Sequence, residues 1–430
     1  MTKRIITILF TLAFAPVSQA DTYAITGGIV HTVGDAGLIN GGTVIIRDGK
    51  IIAVGADVTV PRDAKVIDAA GKVVTPGFMD ANSALGVEEI SLEDGTMDGG
   101  VDGEHFSAAF SVADAINPRS TLITTNRIEG LTRAAVAPWT TSSVFSEPTG
   151  SVITGQSAVI NLGSVENYVD RSSAAMHVVL GEEGAQHAGG SRAAALLRLR
   201  EALDDARDYA SNRRAWEQGN RRDYQLHRLD LEALQAVLGR DIPLVAEVYR
   251  ASDIEAALRL AADYRIRLVL LGAREAWMVA GKLAAANVPV IINTLDNVPR
   301  DFQSLGSTLQ NAAALHAAGV KIAFTVGDSH NPRNIKQNAG NAVAYGLPWT
   351  IALEALTVNP AEIFGVANYG RLEPGMDADV VVWDGDPLEV TTFADHVFIK
   401  GREIPMVSRQ TLLRDRYMQL DTPRPPAYHD

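Results

Sequence analysis

Hydrophobic positions along the chain fall into stretches with different periods. Over residues 44–54 two β-branched runs, Val44-Ile45-Ile46 and Ile51-Ile52-Ala53-Val54, flank Asp48-Gly49, a pair that favours a tight type I′ hairpin. Val66-Ile67-Asp68 and Lys72-Val73-Val74 flank a second glycine turn at Gly71, so residues 22–75 read as β-rich. From Thr75-Pro76-Gly77 the pattern changes. Short apolar runs now alternate with helical stretches rich in Ala, Leu and Arg: 243–247 then 253–264, 267–271 then 275–286, 288–293, and 311–318 then 320–326. Such alternation argues for parallel strands joined by crossover helices. The length of this part suits an eight-stranded barrel, which takes roughly 250 residues. Residues 191–238 are longer and more charged than a plain barrel helix and predict one or two surface helices inserted after a middle strand.

After Gly370 the strand pattern returns, in Asp379-Val380-Val381-Val382-Trp383-Asp384 and His396-Val397-Phe398-Ile399-Lys400-Gly401. The expected fold class is therefore α/β, a TIM-like (β/α)8 barrel over 76–365. Residues 21–75 and 366–420 together build a small composite β-sandwich that the barrel interrupts. The last stretch, 421–430 with Pro423, Pro425 and Pro426, predicts an extended, flexible tail. At the other end, Lys3 and Arg4 precede an apolar run over 5–15, broken by Pro16, with small residues at Ser18 and Ala20. That run is too short to span a bilayer, so residues 1–20 read as a cleaved export signal, and the expected location is periplasmic or secreted. No later stretch has the length and apolarity of a membrane anchor.

Composition narrows the chemistry. A net charge of −13 makes nucleic acid and anionic membranes poor partners, because phosphate contacts need clustered basic side chains. With 0 Cys the chain has no disulfide, thiol nucleophile or thiolate ligand. No Gly-x-Ser-x-Gly elbow is present, which argues against serine hydrolysis.

Three segments carry a resemblance. Val74-Thr75-Pro76-Gly77-Phe78-Met79-Asp80 resembles the lead into the first barrel strand of amidohydrolases. Asn359-Pro360-Ala361-Glu362-Ile363-Phe364-Gly365, with residues 372–383, resembles their C-terminal signature, and 250–254 with 268–277 is similar to the imidazolonepropionase-like branch. The resemblance covers nearly all of 22–405. It implies a barrel hydrolase that cleaves cyclic or linear amide C–N bonds with a metal-activated water.

The same resemblance implies a histidine metal centre that this sequence does not supply. The His-x-His pair closing the first strand corresponds to Asn82 and Ala84, the fifth-strand His to Glu247 and the sixth-strand His to the vicinity of Leu271. A bridging carboxylated lysine on the fourth strand has no counterpart, since no Lys lies between Lys72 and Lys282. The 9 histidines, at 31, 105, 177, 187, 227, 316, 330, 396 and 429, form neither His-x-His nor His-x-x-x-His. Zinc favours imidazole or thiolate in compact geometry, so the expectation is no metal centre and at most one weakly bound divalent cation.

What remains is acidic. Asp328 occupies the position of the eighth-strand Asp that takes a proton from the attacking water; the alternative is an Asx-turn residue of the loop Gly327-Asp328-Ser329. Glu247 and Asn82 are expected beside it as substrate-binding groups, with His330 within reach. Glu247 has the alternatives of a cation ligand with Asp328 or an ion pair with Arg250 or another arginine at the barrel top. Glu275 reads as a helix-start carboxylate. Gly99-Gly100, amid Asp94, Asp98, Asp102 and Glu104, predicts a solvated loop over the mouth. Two functions follow: a hydrolase of amide or dipeptide-like C–N bonds with a degraded metal site, or an inactive paralogue that binds ligand or supports an active partner subunit. The expected partners are a small amide or peptide-like molecule and a homo-oligomer or a hetero-oligomer with a paralogue.

Overall fold

The computed structural model describes residues 21–101, 106–140, 151–296 and 301–419. The expected leader and the tail beyond residue 420 lie outside the described residues. Two eight-stranded sheets organise the rest. The first draws strands from both chain ends: Val73–Pro76 runs antiparallel to Val380–Trp383, so the early and late segments share one hydrogen-bonded ladder. Asp48 and Gly49 both have positive φ, +52° and +77°, and the hairpin between Leu38–Arg47 and Lys50–Gly55 closes there as its sequence predicts. Hydrogen bonding joins the strands of this unit into one continuous, bulged sheet around a shared apolar core. The reason lies in Tyr23–His31, which pairs with Lys65–Asp68 along its first half and with Val73–Pro76 along its second, with bulges near Gly28.

The second sheet is the barrel, with strands here numbered β1 (Phe78–Ser83), β2 (Leu131–Val136), β3 (Ile153–Asn161), β4 (Val169–Val179), β5 (Leu244–Val248), β6 (Leu268–Gly272), β7 (Val290–Ile292) and β8 (Ile322–Phe324). β4 to β8 are parallel neighbours, as are β1 and β2. The expected strand–helix alternation breaks at β3, which runs antiparallel to both β2 and β4. Only a short loop separates β3 from β4, and antiparallel strands alone can be joined so briefly. β8 comes back to β1 through Thr325 Oγ1, which donates to the Asn82 carbonyl at 2.6 Å, and through the Val326 N–H, 3.3 Å from Asp80 Oδ2. A layer of small and branched side chains, including Ala81, Ala135, Val159, Ala175, Val245, Val269, Ile291 and Ala323, fills the interior. The predicted insertion is the helix Arg192–Glu217, kinked at Asn212, followed by two short helices; Leu199, Leu203 and Tyr209 mark its buried face.

Arg133 of β2 joins barrel and sheet. Its guanidinium is 2% exposed and meets Asp170 of β4 at 2.6 Å, Asp377 at 2.7 Å and Asp379 at 3.0 Å, with the Tyr369 ring 4.6 Å away.

Candidate functional site

Strand ends set the site. Side chains alternate along a strand, so Val245 and Glu247 of β5 face one way, and the parallel register sets Glu247 beside Leu271 of β6 and Val179 of β4, with His177 beside Val245. Since Val245 belongs to the interior layer, Glu247, Leu271 and His177 point into the barrel near its C-terminal end. A cavity of about 430 Å³ opens there. Asn82, Ala84, Glu247, Leu271 and Asp328 all line it, so the positions singled out by family resemblance do converge.

Glu247 accepts a hydrogen bond from the Tyr249 hydroxyl, and Arg274 lies over the Tyr249 ring at 4.3 Å. Burial raises the Glu247 carboxyl, opposed by that hydrogen bond and by the Arg274 charge. Arg250 instead grips Asp253, at 2.8 and 2.9 Å. Asp328 adopts the Asx geometry: Oδ1 accepts the His330 N–H at 2.7 Å and Oδ2 the Asn331 amide at 3.1 Å. Two of a carboxylate's roughly four acceptor positions are thus used, and Asp328 also lines the cavity. The His330 ring turns to the rim, where Nε2 lies 3.1 Å from Ser91 Oγ, itself bonded to Glu88 at 2.6 Å. Glu275 sits away from the cavity; its carboxylate accepts the Ala251 N–H at 2.9 Å and so caps the helix Ala251–Tyr264. The loop around Gly99 packs on Trp139, which with Met97 walls the mouth; a Cβ on Gly99 would meet that indole at 1.8 Å.

Among the lining residues not singled out from sequence are Glu88, Thr154 of β3, His177, Glu183 and Ser329. Glu183 follows β4 in the helix Glu182–His187, and its carboxyl is pushed up to about 7, first by burial and then by the negative charge of Glu247. His177 is pushed down to about 3 by burial alone. Below the mouth, Asp80 is fully buried and raised to about 7, burial outweighing the N–H groups of Asn82 and Val326 that point at it. A histidine inside the apolar run Ala174-Ala175-Met176-His177-Val178-Val179 was the one available signal, and it needs the barrel register to become meaningful.

These donors do not fit a binuclear zinc centre. One neutral imidazole faces carboxylates, and among the described residues no group of three or more His, Cys, Asp or Glu is disposed to hold a metal ion.

Residues 252–404 match the family model described as the amidohydrolase family. The structure of an amidohydrolase from Thermotoga maritima MSB8 superposes with a TM-score of 0.79 at 27% identity, over 90% of this chain and 100% of that one. In fold, and over that matched segment, the chain is similar to the amidohydrolase superfamily. Amidohydrolase tasK of Hapsidospora irregularis is 24% identical over 391 residues, 84% of this chain; the chain spans only 39% of that relative's length. Similarity to the imidazolonepropionase of Symbiobacterium thermophilum is confined to 57 residues, 46% identical, covering 12% of this chain and 13% of that protein.

Proposed function

We propose that this chain is an amidohydrolase-superfamily member that hydrolyses a C–N bond of a small amide or dipeptide-like molecule, using opposed carboxylates in place of a binuclear metal centre. One observation carries the reading: two carboxyl groups face one cavity from opposite sides, and one of them, Glu183, holds its proton up to about 7 through burial and the charge of Glu247. Asp328 follows β8 and Glu183 follows β4, and in an eight-stranded ring those strands stand across from each other. A carboxyl that keeps its proton, set across from one placed beside the attacking water, is the arrangement that acid–base catalysis needs. Asp328 takes a proton from water as the water oxygen bonds to the amide carbon. Glu183, protonated at and below about pH 7, gives its proton to the departing nitrogen as the C–N bond breaks. Glu247 keeps Glu183 protonated by its charge, and Asn82 and Glu247 hydrogen-bond the substrate.

Local similarity to an imidazolonepropionase supports placing the chain in that branch. The apolar run over 5–15 supports export, and the cavity calls for no cofactor beyond, at most, one loosely held divalent cation. A second reading, a non-catalytic paralogue that binds ligand or supports an active subunit, is favoured by two observations. Asn82, Ala84 and Leu271 stand where imidazoles are expected, and the Asp328 oxygens serve their own loop.

The deciding experiment is a turnover screen on amides and dipeptides, with and without chelator, for wild type and Glu183→Gln. The expected wild-type rate ignores chelator and falls as pH rises through about 7; Glu183→Gln lowers it by about 10²-fold or more and abolishes that pH limb. Turnover abolished by chelator overturns the metal-free chemistry. Ligand binding without any turnover selects the second reading.

A further inference from the structure

We propose that Thr154 and His177 form a neutral hydrogen-bonding subsite that holds the carbonyl oxygen of an uncharged amide ligand. The inference rests on the reading that the mouth cavity takes an amide, and it assigns two residues with no role in the proton transfers above. Its basis is a defect in the β3–β4 ladder. Ile153 pairs with Val178 and Gly155 with His177, so β3 spends one extra residue, Thr154, on a single step of β4. Bulges of this kind bend a strand and re-aim a side chain. Gly155 makes the bulge possible: its φ is +125°, and a Cβ there would lie 2.7 Å from the Phe110 carbonyl oxygen. The outcome is that Thr154 and His177 both line the cavity as cross-strand neighbours.

Both are buried, Thr154 6% exposed and His177 4%. Among the described residues neither Thr154 Oγ1 nor His177 Nε2 has a hydrogen-bond partner. Buried polar atoms are nearly always paired, and two orphans side by side in a cavity wall are groups kept for a guest. The chemical class of that guest follows from charge. Burial pushes His177 down to about 3, so at neutral pH it presents an uncharged ring able to donate one N–H and unable to attract a carboxylate. Glu88, Glu247 and Asp328 line the same cavity, while no Lys or Arg does among the described lining residues. Anionic ligands are therefore repelled, and a neutral carbonyl, accepting from the Thr154 hydroxyl and the His177 N–H, is the group that fits.

The test measures equilibrium binding by calorimetric titration at pH 7 with two matched probes, N-acetyl-L-alaninamide and N-acetyl-L-alanine. The amide is expected to bind at least about tenfold more tightly than the acid. Thr154→Val and His177→Leu should each weaken amide binding by about three- to tenfold, the loss of one neutral hydrogen bond, while Thr154→Ser retains it. Melting temperature controls for folding: Thr154→Val, which replaces an unsatisfied hydroxyl by a methyl of similar shape, should melt no lower than wild type. Equal affinity for the acid, or amide binding unchanged in both variants, overturns the subsite, as does failure of wild type to bind the amide. Each outcome stands apart from the turnover screen. An active enzyme indifferent to Thr154→Val loses the subsite and keeps the hydrolase, and a Thr154-dependent binder without turnover does the reverse.

Discussion

His177 should make the protein acid-sensitive by an amount that follows from its burial. In an unfolded chain an imidazole titrates at about 6.5; here burial pushes it down to about 3. A group depressed on folding binds more protons when unfolded, so its stabilising effect is complete above about 6.5 and is lost as pH falls toward 3. Between pH 7.5 and pH 5.0 the loss from this one residue is about 2 kcal/mol. At about 2 cal/mol/K of unfolding entropy per residue, that is a shift in melting temperature of about 2–3 °C. Asp80 and Glu183, both raised, respond in the opposite sense as pH falls, so wild type alone does not isolate the effect. The measurement is therefore a double difference: melting temperature of wild type and His177→Gln, each at pH 7.5 and pH 5.0. Glutamine keeps a polar head of similar reach and does not titrate. Wild type should lose about 2–3 °C more than the variant. Identical pH responses in the two proteins would show that His177 is hydrated or charge-paired, and would remove the argument that its ring is neutral.

Two other substitutions follow from named contacts. Arg133→Met leaves Asp170, Asp377 and Asp379 without their shared cation; breaking a buried pair costs about 3–5 kcal/mol, so the melting temperature should fall by about 4–6 °C, and a loss under about 1 °C in thermal scanning would show that the lysines beside Asp170 and Asp377 suffice. Asp328→Asn keeps an oxygen for the His330 N–H and should melt close to wild type while losing about 10²–10⁴-fold in turnover; a folded variant with unchanged rate would restrict Asp328 to its loop.

Local pattern carried much of the fold. The type I′ turn at Asp48-Gly49, the change of period at Thr75-Pro76-Gly77 and the returning strand at Val380 are each written in a few neighbouring residues, and each appears where the pattern puts it. The helix predicted over 253–264 is Ala251–Tyr264. The one predicted over 275–286 is broken into a 3-10 turn, Ala276–Val279, and a short helix, Ala280–Ala285, because Asn311 takes the Trp277 N–H and orders the first turn from outside. Strand direction was not legible: an apolar run such as Ala158-Val159-Ile160 reads the same for a parallel or an antiparallel neighbour. The site divides along the same line. Asn82, Glu247 and Asp328 were found through motif position, whereas Thr154 and His177 became site residues only through a bulge and a cross-strand register. Glu183 carried no signal of its own in the sequence; the helix after β4 brings it to the cavity wall.

The β1–β8 seam explains how such a mouth can change its chemistry while the barrel stands. β8 is only three residues long, and it meets β1 through Asp80 and Thr325, the Asp80 carboxyl gathering the Asn82 and Val326 N–H groups and Thr325 holding the Asn82 carbonyl. Those contacts use the backbone of Asn82, not its side chain. The side chain at position 82 is therefore free to differ without opening the seam, and the same holds at Glu247 and Leu271, whose ladder bonds are backbone bonds within β5 and β6. Beneath them the interior layer is apolar and closed regardless of what sits above. Cohesion at this end of the barrel thus comes from the main chain, one buried carboxyl and the apolar layer, while the candidate site is built from side chains outside those contacts. Asp80 is the exception that marks the boundary: a carboxyl raised to about 7 beside the candidate site, it is committed to holding two strands together. Its proton affinity reflects burial at a structural joint, so a perturbed carboxyl here signals chemistry only where, as with Glu183, it also faces the cavity.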